Sequence, residues 1–468
     1  MRGVRIIAVG IIAAVIALGI VVEQDERMVE TARSPVTLST PRADAGTWFC
    51  AGGSGPGGQA AVALEVVNAG SASARAAVAV LRDDEVLGGT SVVEVEPGGR
   101  RTVPIADLAA GAGWLGAVVE VDRGDVVVEQ TYDGLTGTDR APCVTRTSRR
   151  LVVSDGATRV VAEGEQMVIL LMNPFQEAAV VDVAFDADVG PDSLSAVVVP
   201  ARRVVAIDVT EEVTVASRVS AVIDVRSGRL VASRIQVRTG SVRGLSVTPA
   251  FQDGAMVSVL PVLRSEPGLV DRVLVTNPGS EVAEVDLEVV TDGSVALDPV
   301  ELTVRPGRTV VVDTSLDGRL ATVPEFGFVV RSLSGEPVAA AVERLAAFGE
   351  AMVPGAAAMP AVDAASMRWI VPLDGETQTV SLLNPSAEAI ASVTLSTVGP
   401  EGVTVVTGLE LGPGRRVAID GVIFGARPIV SVEATAPIVV GREVAGFTSR
   451  QMTGAVAAGS LVALDQLN

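Results

Sequence analysis

The chain has 468 residues, 48% of them hydrophobic but only 3% aromatic, so Val, Ala, Leu and Ile must fill its cores. Its 36 basic residues, all of them Arg, stand against 56 acidic ones, and the net charge of −20 repels phosphate backbones and argues against nucleic acid as a partner. With no His, it has no Ser-His-Asp or Cys-His catalysis, no His-ligated metal and no side chain that shuttles protons near neutrality.

This length leaves room for three or four domains of ordinary size. Abundant Val favours strands, because a branched Cβ suits a pleated, half-buried surface. The 48 Gly and 25 Pro supply the turns that an all-β protein needs.

Residues 1–27 read as an N-terminal transmembrane signal anchor. Arg2 and Arg5 precede an apolar run from Ile6 to Val22, and Glu23, Asp25 and Glu26 follow it. Seventeen residues at ~1.5 Å each span about 26 Å, slightly less than the ~30 Å hydrocarbon core. The positive flank stays in the cytoplasm, so the expected protein is a single-pass plasma-membrane protein with its bulk outside. The competing reading is a removable signal peptide cut after Gly19, with Ala17 and Gly19 as the small residues, which makes the protein secreted. Both readings export the chain. Residues 28–46, polar and carrying Pro35 and Pro41, read as an extracytoplasmic linker.

Beyond the linker one pattern occurs four times. Asn68, Asn173, Asn277 and Asn384 each end an apolar run and open a turn, spaced by 105, 104 and 107 residues. Pro97, Pro200, Pro306 and Pro413 follow them at 29, 27, 29 and 29 residues, each leading through Arg to a strand expected to end in Asp107, Asp208, Asp313 or Asp420. After each Asn comes a period-two strand. Ala283, Val285, Leu287 and Val289 alternate with Glu284, Asp286 and Glu288, so the first set faces a core. The fourth copy slips by one residue at Val393 and Leu395, which predicts an insertion or a bulge. Pro-Gly matches a type II turn. The segments 118–130, 222–234, 329–344 and 430–443 are each expected to close their unit as a hairpin.

About 105 residues of short alternating strands predict four tandem immunoglobulin-like or fibronectin-like β-sandwich domains. Their bounds are 47–145, 146–253, 254–362 and 363–468. Cys50 and Cys143 bracket the first, and in an exported protein they are expected to form a disulfide between its first and last strands. The glycine-rich "CAGGSGPGGQ" beside Cys50 lacks the Lys and helix of a phosphate-binding loop and reads as a flexible loop.

Other constellations weigh less. The "RGD" at Arg123-Gly124-Asp125 occupies a turn tip that the other copies fill with unrelated residues. Asp186, Asp188 and Asp192 around Gly190 have calcium-like spacing without a closing Glu, so a solvated acidic loop is preferred and no metal is expected. Arg100, Arg308 and Arg415, after the Pro-Gly turns, are read as partners of the strand-end Asp in each unit, or alternatively as a stripe for anionic polymers. Trp48 and Trp369 read as plugs at sandwich ends. No catalytic or cofactor-binding residues are assigned.

The segments "TWFCAGGS", "APC", "SDGATRVVAEGEQMVILLMNPFQEAAVVDVAF", "VVVPARRVVAIDV" and "SGRLVASRIQV" resemble an actinobacterial family of exported proteins, domain of unknown function family 5719. The resemblance implies a membrane-anchored, extracytoplasmic protein and carries no assigned activity or catalytic residues. In the first copy Asn68 is followed by Ala, where the family pattern has Pro. The expected function is a non-enzymatic structural or protein-interaction scaffold of the cell envelope, touching envelope proteins or glycans. The alternatives are an envelope polysaccharide-binding module and, less favoured, a carbohydrate-active enzyme.

Overall fold

The computed structural model describes residues 46–444, apart from 87, 124, 294–296, 347–354, 374–377 and 426–428, together with 457–459 and 462–463. The expected anchor at 1–27 and all of the linker except Gly46 lie outside the described residues. Among the described residues no helix is long and apolar enough to cross a membrane.

The described chain is all-β, built from several sheets around apolar cores. The third unit shows the plan most simply. Its eight strands are Val257–Arg264, Leu269–Thr276, Ala283–Val290, Val300–Val304, Thr309–Asp313, Glu325–Ser332, Ala339–Ala346 and Gly355–Pro360. They form two antiparallel layers, ordered first–sixth–third–fourth and fifth–second–seventh–eighth. Leu260, Val273, Val285, Phe328 and Val342, drawn from both layers, share one core. Period-two alternation explains the layers: Ala283, Val285 and Leu287 are buried while Glu284 is exposed.

The same pairing order recurs in the first, second and fourth units. Single bridges, Ser54 to Ala61 and Arg203 to Arg82, additionally link neighbouring layers.

The sixth and seventh strands do not form the expected hairpin. The sixth pairs with the first and third, the seventh with the second and eighth, and the turn between them carries the chain from one layer to the other. In the fourth unit one strand, Ile429–Val444, serves in both layers. Alternation looks the same in a hairpin and in such an arch, so only the choice of partners distinguishes them. The glycine-rich stretch also departs from expectation. Residues 51–54 belong to the strand Gly46–Ser54, which bulges after Cys50. Gly52, at φ +91°, lies so close to the Leu115 carbonyl that no Cβ fits.

The four units close on one another. The eighth strands Gly137–Pro142, Arg243–Pro249, Gly355–Pro360 and Ala457–Gly459 neighbour each other in order, and the last touches the first. Small residues permit this approach; a Cβ on Gly244 would stand 2.9 Å from the Ala356 backbone nitrogen. Each junction is partly apolar. The first unit's core takes in Val204 and Ile235 of the second and Ile370, Val398 and Ile429 of the fourth. Val152 and Phe251 join the third unit's core, while Val259 and Val329 pack with Leu383 and Val439.

Candidate functional site

Asn68, Asn173 and Asn384 end their second strands, Asn277 directly follows its own, and all four are fully buried. Asn277 donates from Nδ2 to Glu281 O at 2.7 Å and to Val304 O at 2.9 Å, while its Oδ1 accepts from Gly279 N at 2.8 Å. Asn68 makes the same three bonds to Ala72, Val95 and Gly70. Asn173 makes them to Glu177, Val199 and Phe175. Asn384 does so with Ala389, Leu411 and Ser386. Each amide thus folds its own turn and fastens the end of the fourth strand, which belongs to the opposite layer. Only a side chain with both a donor and an acceptor can do this. Asn384 reaches one residue further along its turn, so the slip in the fourth unit is an extra turn residue. A bulge follows after Leu395, with a counterpart in the second unit near Val181.

Beyond the fourth strand, the prolines Pro97, Pro306 and Pro413 are each followed by a glycine at positive φ: Gly98 (63°), Gly307 (65°) and Gly414 (57°). After Pro200-Ala201 the same role falls to Arg202, at φ 54°. Asp208, Asp313 and Asp420 then cap short helical turns, accepting from Thr210, Ser315 and Val422 backbone N–H, each at 3.0 Å. Asp107 is different: its strand ends at Val103 and Asp107 lies inside the 3₁₀ turn Ile105–Leu108.

The turn arginines do not pair with these capping Asp residues. Arg308 bonds Asp186 of the second unit at 2.7 Å, and Arg100 reaches Glu65 and, in the fourth unit, Leu373 O at 2.7 Å. The capping Asp residues hold their own backbone, while Arg308 and Arg100 each reach into a neighbouring unit. Of the acidic loop, Asp186 enters the same junction, while Asp192 stays exposed and accepts only from Ser193 N. Asp186 is held by Arg218, Arg308 and Thr309 N, and Asp188 by Ser217. Burial pushes the Asp186 carboxyl up, but those hydrogen bonds outweigh it and leave it below its ordinary value. Asp125, of the RGD turn, pairs with Arg368 at 3.2 Å across the junction of the first and fourth units.

Sequence periodicity missed the charges in the seventh strands. Arg238 bonds Glu343 at 2.5 Å, Arg344 bonds Glu443 at 2.8 Å, and Arg442 bonds Glu129 at 3.1 Å, each pair crossing a junction. Arg344 also grips Asp271 through two nitrogens, at 2.5 and 2.6 Å. All of these residues are buried. Burial raises the Glu343 carboxyl, yet the Arg238 charge and hydrogen bond prevail and hold it below its usual value. The available signal was a charge inside an otherwise apolar run, as in "AAAVERLA" and "IVVGREV".

Cys50 and Cys143 form a disulfide that ties the first strand to the segment after the eighth. Trp48 and Trp369 are buried within first strands, and Trp369 Nε1 donates to Ser366 O and Ile438 O. Beside the disulfide-bonded unit's second and seventh strands lies a cleft of about 560 Å³, lined by Pro104, Asp107, Thr131, Asp133, Thr138 and Arg140 among others. Among the described residues no three carboxylates or cysteines converge as a metal site.

A search of curated proteins found no match. The crystal structure of Thermotoga maritima 1070 aligns at 18% identity over 24% of this chain and 94% of its own, with a TM-score of 0.20, too low to bear on the fold. The model of the family described as "Family of unknown function (DUF5719)" matches residues 210–458, more than half of the chain. By that match, over the end of the second unit, all of the third and most of the fourth, the chain belongs to the DUF5719 family.

Proposed function

We propose that the chain is a membrane-anchored, extracytoplasmic scaffold of the cell envelope, without enzymatic activity, made of four tandem sandwich domains. The observation that carries this reading is the set of junctions: charged side chains that elsewhere build active sites here join one unit to the next. Buried pairs such as Arg344 with Asp271 and Glu443 hold the units in one body. A body of that kind presents fixed outer edges to partners, which suits a scaffold better than a catalyst.

The domains are immunoglobulin-like in a loose sense. They share the interlock in which the second strand pairs the fifth and the third pairs the sixth. They differ in pairing the first strand with the sixth and the seventh with the second. The anchor and export rest on residues 1–27, with Arg2 and Arg5 ahead of the apolar run.

Crosslinking on intact cells, followed by purification and mass spectrometry, tests the scaffold. Reproducible envelope proteins among the captured partners support it; none across several crosslinkers and growth conditions overturns it. Protease added to spheroplasts should degrade the chain from outside, and full protection there removes the extracytoplasmic placement.

The cleft beside Thr131 and Asp133 favours a second reading, a binding module for envelope polysaccharide. Hydroxyl and carboxylate groups beside apolar prolines match the mixed surface of a sugar. Blank results on an array of envelope glycans would remove it.

A further inference from the structure

The cleft of about 560 Å³ occurs in the first unit, where small side chains stand on one face of the second strand. Ala61 lies opposite Asp133 and Ala63 opposite Thr131, and the seventh strand in turn sets Asp133 beside Thr138 and Thr131 beside Arg140. Alternation puts these six on the face turned away from Val62, Leu64 and Tyr132, which belong to the core. Counted back from the marker Asn, the position of Ala63 is filled by Val168, Arg272 and Thr379 in the other units. Val168 packs against the first unit's core and Arg272 reaches Glu343 at 3.7 Å, so the face that the first unit leaves open is occupied there.

The lining combines apolar groups, such as Ala61, Ala63 and Pro104, with carboxylates from three different elements. Asp107 comes from the turn Ile105–Leu108, Asp133 from the seventh strand and Asp139 from the eighth. Asp107 and Asp133 are exposed and Asp139 is half-buried. Asp139 accepts the Val247 N–H at 2.6 Å, a bond that favours the charged carboxylate and fixes it in place. Against these three stands one base, Arg140, whose Nη1 already donates to Glu65 and Glu129. Tyr132 is buried and donates to Gly52 O at 3.4 Å, so no lining residue offers an exposed aromatic ring for a sugar to stack on. A cleft lined mainly by one sign of charge concentrates its field on the ligand.

We propose that this cleft recognises the ammonium group of an amine-bearing sugar, a glucosamine-type unit of a polymer, an inference that rests on the polysaccharide-binding reading. Asp107, Asp133 and Asp139 surround the ammonium, Thr131 and Thr138 meet the sugar hydroxyls, and the apolar edge of the ring lies on Ala61, Ala63 and Pro104. N-acetylation removes the charge, so an acetylated sugar loses the attraction, and an anionic sugar is repelled.

Calorimetric titration of the full chain at about pH 6, where the amine is protonated, compares a glucosamine oligomer with its N-acetylated counterpart and a glucose oligomer of equal length. The glucosamine oligomer should bind about tenfold more tightly than either neutral one and lose that advantage as salt is raised. Asp107→Asn and Asp139→Asn should each reduce the preference several-fold. Asp107 is exposed on a turn, so its variant tests the site even if Asp139→Asn fails to fold. Equal binding of the three oligomers overturns the charge selection while leaving polysaccharide binding intact. Binding of none of them overturns both, and a lysine-rich peptide that binds where the glucosamine oligomer does not overturns the sugar in favour of a protein partner.

Discussion

Asn277 and Val304 are 27 residues apart, yet the amide of one donates to the carbonyl of the other at 2.9 Å and so fastens the two layers of the third unit together. The bond recurs in each unit. It accounts for the nearly constant distance between Asn and Pro: the carbonyl that each Asn reaches is one or two residues ahead of the proline.

Asn277→Ala leaves Glu281 O, Val304 O and Gly279 N without this partner inside the protein. The expected loss is about 2–4 kcal/mol, read from the urea midpoint followed by circular dichroism. Asn277→Asp should be at least as harmful, because it removes the donor and places a charge among carbonyls. A variant within about 0.5 kcal/mol of the parent would refute the clamp.

Gly98 and Gly307 share a positive φ but not their surroundings. A Cβ on Gly98 would lie 2.2 Å from the Gly399 carbonyl carbon of the fourth unit, whereas nothing lies within 4 Å of one on Gly307. Gly307→Ala should lose only the backbone strain, about 1–2 kcal/mol. Gly98→Ala should lose about 1–3 kcal/mol more, because it also pushes apart the closing junction. Parallel thermal melts would compare them.

Arg344→Met leaves Asp271 and Glu443 buried with one cationic or amide partner fewer. The expected cost is about 3–5 kcal/mol in a denaturation series. Replacing Arg344, Asp271 and Glu443 together by apolar residues should recover most of it, which would separate the penalty of an orphaned charge from the worth of the pair.

Acid should weaken the contacts that arginines make with buried carboxylates. Burial raises Glu343, Glu65 and Asp186, but their arginine partners outweigh it, and all three end below their ordinary values. Carboxyls lowered on folding contribute above about 4.5 and lose that contribution as pH falls. Stability should therefore fall as pH drops through about 4.5. Tryptophan fluorescence melts between pH 3 and 8 would trace the loss. Arg238→Gln should blunt it.

Reduction of Cys50–Cys143 should weaken the first unit most. Closing a loop of sequence separation 93 contributes about 4–5 kcal/mol in the chain-entropy model. Calorimetry with and without reductant should show an early transition appear in the reduced protein. An unchanged trace would limit the bond to a local role.

Local chemistry was legible in the residues themselves. An Asn before a turn, a glycine that supplies positive φ, an Asp at a strand end and alternation at 283–289 all act over a few positions, so their spacing reveals them. The Cys50–Cys143 disulfide was legible in a different way, as two cysteines bracketing one repeat. Asp107 misled because the turn at Ile105–Leu108 begins after Pro104 and needs no Asp cap.

Partner choice was decided only by the tertiary structure. Alternating Val and Ala suit a hairpin and a layer-crossing arch equally well, so the sixth and seventh strands were misread. Arg238, Arg344 and Arg442 look misplaced in an isolated strand and acquire counter-charges only when another unit packs beside them. The sequence by itself determined that one strand pattern was made four times. That the fourth copy returns to close on the first depended on contacts between residues more than 300 positions apart, such as Arg442 and Glu129, and no local period encodes such a distance.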